Sequence, residues 1–264
     1  MAESVRLKGS YSWPKKLPDL TAEQLAIRDD FMRVWHEKLG SNAAFGPIEQ
    51  FNHGYSVKHS PSDFTSTLEI GAGLGEHLNY EKLTQEQRRS YVSLELRANM
   101  IEQLRQRFPD INVQKGDCQR TLNFQDGVFD RILAIHVLEH LPDLPAAVKE
   151  MYRLCNKEKG VFSVVIPCEG GLVYGLARLV SSQRLFESLY KQPYKWFIEQ
   201  EHLSIPDEIT SVLFQYFDLV HIEYFPFRVP VVSLNLCIGL TLRPKNPDQI
   251  DSSVLERTAE ACSV

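Results

Sequence analysis

The amino-acid sequence predicts an α/β fold, a doubly wound and mostly parallel sheet of seven strands. The first observation is a short apolar strand at residues 66–70 that runs directly into three glycines at alternate positions, Gly71, Gly73 and Gly75. The second is the alternation of strand patterns with helical patterns from residue 65 onward, with short connections between them. Such alternation is typical of a parallel sheet whose crossover helices cover its faces.

The composition is that of a soluble globular protein and excludes several other classes. The 264 residues are 43% hydrophobic and 24% charged, which fits either one large domain or one domain with a small accessory element. The net charge of −5 argues against a large basic nucleic-acid footprint, and no apolar run reaches the roughly 18 residues that a transmembrane helix needs. Five scattered cysteines without a C-x-x-C pair predict reduced thiols in the cytoplasm and neither a disulfide framework nor a metal site. A small-molecule substrate remains as the expected partner, and self-association as a homodimer is compatible with the sequence.

The N-terminal residues 1–60 are predicted to form an arm and a helical cap. The sequence Thr-Ala-Glu-Gln at 21–24 is a capping-box pattern that opens a helix, and Gly40 is expected to end it. The apolar residues of this helix are expected to pack against the sheet domain or to form a lid over a ligand.

A second N-terminal stretch, residues 45–55, is aromatic and interrupted by glycine and proline. It has two interpretations. It is a connecting loop with a few packed aromatic rings, or it is a cap segment that presents His53 and Tyr55 to a pocket.

The main domain is predicted to span residues 61–244. Its strands are expected at residues 66–70, 91–96, 111–117, 129–136, 160–166, 219–227 and 234–242. Its helices are expected at residues 75–83, 98–108, 145–155 and 205–217, the second of these from apolar residues at helical spacing. The polar residues 245–264 are predicted to be a flexible tail.

An insertion at residues 168–204 interrupts the alternation. It begins with a glycine pair and continues as an apolar-patterned helical run over residues 172–190. Aromatic side chains such as Tyr194 and Trp196 then follow. They are interpreted either as the lining of a substrate lid or as packing that holds the insertion on the domain.

The glycine stretch is the first candidate for ligand chemistry. Glycines after a strand let backbone N–H groups approach a ligand closely, and doubly wound sheets bind nucleotide-like ligands at this turn. The motif reads G-x-G-x-G with Glu69 two residues before the first glycine, whereas a dinucleotide fingerprint requires glycine where Glu76 stands. The alternative is a glycine-rich turn that binds nothing.

Three further segments carry chemistry at the predicted carboxyl ends of strands. Glu95 ends the second strand, 20 residues after Gly75, where a carboxylate accepts hydrogen bonds from ribose hydroxyls. Asp117 and Cys118 end the third strand, and the fourth runs into His-Val-Leu-Glu-His at residues 136–140. Taken singly, Glu95 is also explained as a surface carboxylate and Asp117 as part of an ordinary turn.

The four segments, in this order and spacing, resemble class I S-adenosylmethionine-dependent methyltransferases of the type 11 or UbiE-like group. The resemblance implies a Rossmann-like sheet with an antiparallel seventh strand, S-adenosyl-L-methionine as cofactor and S-adenosyl-L-homocysteine as product. It places Glu69 near the methionine end of the cofactor, Asp117 at the adenine amine and His136 beside the sulfonium. The cofactor-binding residues that it implies are Glu69, Gly71, Ala72, Gly73, Gly75, Glu95, Leu96, Asp117, Cys118 and His136.

The methyl acceptor is less well indicated than the cofactor. His140 and His202 are the candidate catalytic bases, because imidazole titrates near neutral pH, although either is also explained as a structural residue. The other histidines, His36, His59, His77 and His221, are treated as structural or surface residues. The residues expected to bind substrate are His53, Tyr55, Glu139, Tyr194 and Trp196.

Three functions follow from these expectations. The first is O- or N-methylation of a small molecule, such as a sugar, a nucleotide-sugar or a natural-product intermediate. The second is methylation of a lipid-like acceptor or quinone precursor, with the helical run of the insertion lying on a membrane face. The third is a regulatory protein that binds the cofactor without turnover, since fold alone does not fix function.

Overall fold

The computed structural model describes residues 12–38 and 46–250. The strands are β1 (Thr67–Ile70), β2 (Tyr91–Glu95), β3 (Asn112–Lys115), β4 (Arg131–Ile135), β5 (Val161–Pro167), β6 (Phe217–Phe225) and β7 (Cys237–Pro244). The α-helices are α1 (Ala22–Lys38), α2 (Gly46–His59), α3 (Gln85–Arg89), α4 (Ala98–Arg107), α5 (Leu144–Leu154), α6 (Leu172–Arg178), α7 (Arg184–Tyr190), α8 (Lys195–Glu201) and α9 (Pro206–Tyr216).

The seven strands form one sheet in the order β3-β2-β1-β4-β5-β7-β6. Strands β1 to β5 run parallel, and β7 is antiparallel to both of its neighbours. The predicted sheet, including the antiparallel seventh strand, is thereby confirmed. The strand order reverses beside β1, which is the place where such sheets bind ligands.

Helices cover both faces of the sheet because side chains alternate along each strand. On one face, Leu68 of β1 and Ile132 of β4 join the main core, to which α5 and α9 contribute. On the other face, Leu133 joins a smaller core with Leu104 of α4, and Val165 packs with Tyr55 of α2. The main core therefore extends along one face of the sheet to the carboxyl ends of β1, β4 and β5, where it includes Ile70, Ala134 and Ile166.

The segment after the glycines differs from its prediction. Residues 75–83 were expected to be a helix, but only a short 3₁₀ turn forms, at His77–Asn79. The side chains of His77 and Glu81 turn inward to each other at 2.8 Å, and Glu81 pairs with the buried Arg131 at 2.8 Å. These tertiary contacts hold the segment in a compact turn instead of a regular helix.

The stretch after residue 45 is a helix, so the interpretation as a connecting loop is wrong. Pro47 lies in the first turn of α2, where its missing N–H costs nothing. The helix packs on the sheet against β5 and β7, and the side chain of Tyr55 covers Gly239 so closely that a Cβ there would lie 2.5 Å from the ring.

The insertion is helical, as predicted for its run of residues 172–190. A π-helical turn at Leu179–Gln183 joins α6 to α7, and α8 follows. The aromatic side chains of α7 and α8 surround Phe31 of α1, with ring centroids 5.0 Å from Phe186 and 5.1 Å from Phe197. The insertion is therefore packed on the N-terminal helix through a separate aromatic core, which we call the lid core.

The end of the described chain does not form the predicted tail from residue 245. The Lys245 amide donates to the Tyr216 carbonyl at 2.9 Å, and Ile250 is buried in the main core. Residues 251–264 lie outside the described residues. The four cysteines in the described part are free thiols, and no described helix is long and apolar enough to cross a membrane.

Candidate active site

The three glycines after β1 adopt positive φ angles of 62°, 56° and 81°. A Cβ on Gly71 would lie 2.5 Å from Val137, and one on Gly75 would lie 2.4 Å from Leu104. A Cβ on Gly73 would approach only the Glu76 carboxylate, at 3.3 Å. Gly71 and Gly75 thus allow close packing within the protein, and Gly73 leaves space on the open side of the loop.

Glu95 lies at the end of β2, beside this loop. Its carboxylate accepts hydrogen bonds from the amides of Gly73 at 3.0 Å and of Leu96 and Arg97 at 2.9 Å. The side chain of Leu96 is exposed and its backbone follows the carboxylate. The contact with Gly73 explains how the ends of β1 and β2 are held together.

Glu69 lies inside the sheet layer rather than at the exposed edge. It is 4% exposed, and its carboxylate accepts a hydrogen bond from the Tyr91 hydroxyl at 2.9 Å. Burial raises the pKa of Glu69 to about 8, and the neighbouring Glu81 acts in the same direction. The structure therefore gives Glu69 a place in the buried group around Arg131, Glu81 and His77.

Asp117 and Cys118 follow β3 at the same edge of the sheet. One oxygen of Asp117 accepts two hydrogen bonds from Gln119, through its backbone amide and its side-chain amide, each at 3.0 Å. The Cys118 side chain is buried in the main core, so only its backbone is available at the edge. Burial raises the pKa of this thiol to about 12.

The residue that follows β4, His136, is strained and charged. Its φ of 53° is in the left-handed region that side chains other than glycine rarely adopt. Its Nδ1 lies 3.2 Å from the Glu139 carboxylate. Burial favours the neutral imidazole, but Cys237 and the Glu139 carboxylate outweigh it and raise the pKa of His136 to about 10. Burial likewise opposes ionisation of Glu139, yet the hydrogen bond from His136 holds its pKa at about 2.

The two predicted bases, His140 and His202, lie side by side although 62 positions separate them. Their ring centroids are 5.1 Å apart. The segment that carries His202 is anchored because the amides of Leu203 and Ser204 donate to the Glu139 carbonyl at 2.7 and 3.1 Å. The structure thus brings Glu139, His140 and His202 together at the edge of β4.

The tautomers of the two histidines follow from their partners. Nδ1 of His140 donates to the Glu201 backbone carbonyl, which leaves Nε2 free, 3.8 Å from Glu139. Nδ1 of His202 is 2.7 Å from the Glu169 carboxylate. Burial acts to raise the pKa of Glu169, but the bond from His202 outweighs it, so this carboxylate is ionised and Nδ1 carries the hydrogen. Desolvation lowers the pKa of His140, with Glu139 opposing and His202 adding to the decrease.

Sequence reasoning missed Glu169, which orients His202. Glu169 follows the end of β5, and its other oxygen pairs with Arg178 of α6 at 2.5 Å. Tyr174, one turn before Arg178, has its ring 6.4 Å from that of His202. An acidic residue just beyond a parallel strand, before Gly170, was the available signal, because the carboxyl ends of parallel strands share one edge.

Helix α2 brings polar side chains to the same edge. His53 stacks on Tyr80, with ring centroids 4.9 Å apart, and its Nε2 pairs with Glu49 at 3.3 Å. The side-chain oxygen of Asn52 and Nδ1 of His53 are buried without hydrogen-bond partners among the described residues. Helix α2 therefore carries two buried polar atoms that remain unpaired within the described structure.

Three residues expected to bind substrate lie elsewhere. Tyr55 is 3% exposed under α2, and its hydroxyl bonds to Thr241 at 3.1 Å. Tyr194 is 5% exposed in the lid core, and Trp196 packs against the same cluster. The rings of Tyr55 and Tyr194 are thus buried between helices and that of Trp196 is half-buried, and a role of these residues in substrate binding stays a prediction.

The family comparison covers the segment from β1 to β5, which contains the glycine loop, Glu95, Asp117 and the residues after β4. Residues 68–164 match the profile of the methyltransferase domain family. The chain therefore carries a methyltransferase domain over these residues. No curated protein matches the methyltransferase in sequence.

Solved structures with this fold cover most of the methyltransferase. The PH0226 protein from Pyrococcus horikoshii has a TM-score of 0.57 at 16% identity, over 82% of this chain and 99% of its own. The N-methyltransferase NodS from Bradyrhizobium japonicum, solved with S-adenosyl-L-homocysteine, has a TM-score of 0.56 at 14% identity, over 83% and 99%. A possible histamine N-methyltransferase from Thermotoga maritima has a TM-score of 0.54 at 17% identity, over 81% and 100%. At these identities the similarity shows the fold.

The edge of the methyltransferase fits S-adenosylmethionine on two observations. Gly73 has no side chain, and a Cβ there would meet only the Glu76 carboxylate at 3.3 Å, so the loop leaves space for a ligand beside its backbone. Nε2 of His136 and one oxygen of Glu139 are buried without hydrogen-bond partners among the described residues, so polar atoms are available between the loop and the histidine pair.

Proposed function

We propose that the methyltransferase transfers a methyl group to a hydroxyl or amine of a small, polar molecule that binds beside His140 and His202. The observation that carries the proposal is the pair of imidazoles 5.1 Å apart, each with its Nδ1 hydrogen fixed and its Nε2 free. When bound, the cofactor supplies the activated methyl group, and the protein supplies orientation and proton transfer. The ionised Glu139, Glu169 and Arg178 around the pair favour a polar acceptor over an apolar one.

The glycine loop after β1 and the residues that follow β2 and β3 form one edge of the sheet, which we call the glycine edge. This edge is assigned to the cofactor in the proposal. Gly71, Ala72, Gly73 and Gly75 shape the loop, Glu95 lies where the ribose hydroxyls are expected, and Asp117 with the Cys118 backbone lies where the adenine is expected. His136, held as an imidazolium by Glu139, forms the wall between the cofactor and the acceptor. The buried position of Glu69 supports an indirect role, in which it holds the loop from within the sheet.

We assign the general base to His202 and acceptor positioning to His140. The Glu169 carboxylate on Nδ1 of His202 stabilises the imidazolium that forms when Nε2 takes the acceptor proton, as in other carboxylate–histidine pairs. His140 has a neutral carbonyl on Nδ1, and its lowered pKa keeps Nε2 unprotonated as a hydrogen-bond acceptor. Holding the acceptor in line with the methyl group accounts for a large part of the rate in such reactions.

The base assignment is tested by the turnover of three variants. His202→Asn is expected to lower kcat by about 100-fold, the lower range for a general base, with an unchanged Kd for S-adenosyl-L-homocysteine. Glu169→Gln is expected to lower kcat as well, because the neutral amide no longer stabilises the imidazolium. His140→Asn should mainly raise KM for the acceptor. If His140→Asn lowers kcat by about 100-fold and His202→Asn mainly raises KM, the assignment is reversed.

A lipid-like acceptor is the second candidate, favoured by one surface. The outer side of α6 and the π turn exposes Leu172, Leu176, Leu179 and Val180, while Tyr174 and Arg178 face the candidate site. An exposed apolar strip beside a site is a feature of proteins that take substrate from a lipid surface.

One labelling experiment separates the candidates. Cofactor with a labelled methyl group is incubated with small-molecule, lipid and RNA extracts, and the labelled fraction is isolated. Label in the water-soluble small-molecule fraction supports the proposal, and label in the lipid fraction supports the second candidate. Binding of S-adenosyl-L-homocysteine without labelling of any fraction favours a regulatory protein that does not turn over.

A further inference from the structure

Helix α6 and the π turn after it expose a row of large apolar side chains. These side chains are 50% to 71% exposed and belong to Leu172, Leu176, Leu179 and Val180. Their spacing of about four residues places them on one side of the helix. The opposite side faces the candidate site, where the Tyr174 ring lies 6.4 Å from that of His202. The apolar row is therefore on the outside of the element that borders the histidine pair.

The connection between β6 and β7 extends this row. It passes directly beside the start of α6, because a Cβ on Gly171 would lie 2.9 Å from the Val232 carbonyl oxygen. Four more apolar side chains, 38% to 61% exposed, stand on this connection: Phe227, Val229, Val231 and Leu234. We call these four side chains and the four of the α6 row the apolar face. Soluble proteins rarely expose so many large apolar side chains in one place unless the surface binds something.

One buried side chain holds the connection in shape. Asn235 is fully buried, and its side-chain amide donates to the carbonyls of Val229 and Val231 at 2.9 and 2.8 Å. Its side-chain oxygen accepts a hydrogen bond from the Phe227 amide at 3.1 Å. The connection thus owes its conformation to polar contacts with Asn235, while its apolar side chains stay in solvent.

The charges along these two segments are all positive. Residues 170–186 and 224–236 contain three arginines and no aspartate or glutamate, although the whole chain has a net charge of −5. Arg184 is exposed and continues the outer side of α6 one turn further. Arg228, on the connection, is 79% exposed and reaches Glu223 only at 3.7 Å. Guanidinium groups therefore flank the apolar face at both of its segments.

This charge distribution distinguishes between two possible occupants of the apolar face. In a symmetric pair the same patch of each copy meets the other, so a second copy of this chain would bring arginines against arginines. Anionic lipid headgroups instead attract basic side chains, and the boundary below them accepts exposed apolar groups. Apolar side chains flanked by arginines thus fit a lipid surface better than a second copy.

We propose that the apolar face docks the protein on the surface of an anionic lipid bilayer. The apolar side chains enter the boundary between headgroups and acyl chains, and Arg184 and Arg228 stay among the headgroups. A helix is about 10 Å across, so docking through the outside of α6 places His202 close to the headgroup layer. The inference applies to a water-soluble acceptor and to a lipid-bound one, because docking requires no methyl transfer.

Flotation of the full-length protein with lipid vesicles tests the proposal. We expect binding to vesicles of phosphatidylcholine and phosphatidylglycerol in equal parts, and weaker binding to phosphatidylcholine alone. Val180→Ser and Phe227→Ser should each weaken binding about fivefold or more, since these side chains are 71% and 61% exposed and lose apolar contact with lipid. Arg184→Gln should weaken binding to the anionic vesicles about fivefold and leave binding to phosphatidylcholine unchanged.

Two matched controls lie at the opposite edge of the sheet. Val128 is 42% exposed shortly before β4, and Arg89 is exposed shortly before β2. Val128→Ser and Arg89→Gln should therefore bind vesicles like the wild type. The Tm of each variant checks its folding. Flotation needs neither cofactor nor acceptor, so its result is separate from that of the turnover experiments.

Three outcomes overturn the proposal. The first is a wild-type protein that floats with neither kind of vesicle. The second is wild-type binding by Val180→Ser and Phe227→Ser, which would mean that another surface contacts the lipid. The third is a dimer, measured by sedimentation velocity without lipid, that Val180→Ser dissociates while no vesicle is bound. In that case a second copy covers the apolar face.

Discussion

The three glycines after β1 have different tasks at the scale of single residues. Gly71 and Gly75 let Val137 and Leu104 pack against the loop, so a side chain at either position disrupts the protein itself. Gly73 has room apart from the Glu76 carboxylate. A substitution at Gly73 therefore tests ligand binding with the least damage to packing.

Gly73→Ala is expected to weaken binding of S-adenosyl-L-homocysteine by about tenfold or more, or about 1.4 kcal/mol. The added methyl group points into the open side of the loop, and a φ of 56° is unfavourable for alanine. Calorimetry measures the change. Gly127→Ala is the control, because Gly127 also has a positive φ of 65° and a Cβ there meets only ordinary contacts at 3.8 Å. Equal loss of affinity in both variants means that backbone strain alone explains the effect.

Histidines with similar sequence surroundings have different states for reasons of contact. His136 is held charged between Cys237 and Glu139, whereas desolvation holds His140 neutral. His136, which the sequence predicts beside the cofactor, is an imidazolium. His140 and His202, which the sequence predicts as bases, remain available for proton transfer. Local sequence does not distinguish these histidines, because the groups that set their charge states come from distant elements. These groups are Cys237 of β7, the Glu201 carbonyl of α8 and Glu169 after β5.

At the scale of elements, the lid core determines how the insertion is held. Phe31 is 1% exposed and touches four aromatic rings of the insertion edge to face. Such pairs add to the free energy of burying the rings. The lid core contains residues of α1, α7 and α8 and none of the glycine loop, so it positions α7 and α8 without direct contact with that loop.

Phe31→Ala is expected to release the insertion, since removal of a buried phenylalanine ring costs about 3–5 kcal/mol. Limited proteolysis should cut within residues 168–204 faster, and transfer to the acceptor should fall. Binding of S-adenosyl-L-homocysteine should stay near the wild-type value, which separates local release from global unfolding. Leu25→Ala on the same helix is the control, because Leu25 is 42% exposed. Wild-type proteolysis of Phe31→Ala would show that other contacts hold the insertion.

At the scale of the whole molecule, a buried charged group joins the central strands. Arg131 of β4 is fully buried, pairs with Glu81 and donates to Thr67 of β1 at 3.1 Å. Glu69 lies in the same layer with its pKa raised to about 8. Breaking a buried charge pair is costly, so this group couples folding stability to pH.

The sign of the Glu69 contribution follows from its raised pKa. Below pH 4.5 the carboxyl is protonated in both states, and between pH 4.5 and about 8 only the folded state keeps the proton. Folding stability from this group is therefore lost as pH rises, by at most about 1.4 kcal/mol per pH unit. Urea unfolding at pH 5, 6.5 and 8 should show that Glu69→Gln gains stability relative to the wild type as pH rises. Parallel curves for the two proteins would contradict the buried protonated state.

Assembly and cellular location remain predictions at this scale. The described part of the chain has four free cysteines, and both the reducing compartment and the homodimer stay predictions. The described fold extends past residue 245, the predicted start of the tail, because Ile250 is buried in the main core. The polar composition of residues 245–250 predicts a flexible segment, but the buried Ile250 side chain and the Lys245 amide bond to Tyr216 hold these residues on the domain.

The sequence by itself determined the sheet, the glycine loop and the acidic ends of β2 and β3. These features depend on periodicity and on glycine spacing within short segments, and local patterns report them directly. Only the tertiary structure decided that His202 meets His140, that Glu169 orients His202 and that the rings of Tyr55 and Tyr194 are buried between helices. The physical reason is that an aromatic or polar side chain has the same local pattern in a pocket as in a core. Its role depends on which distant element packs against it.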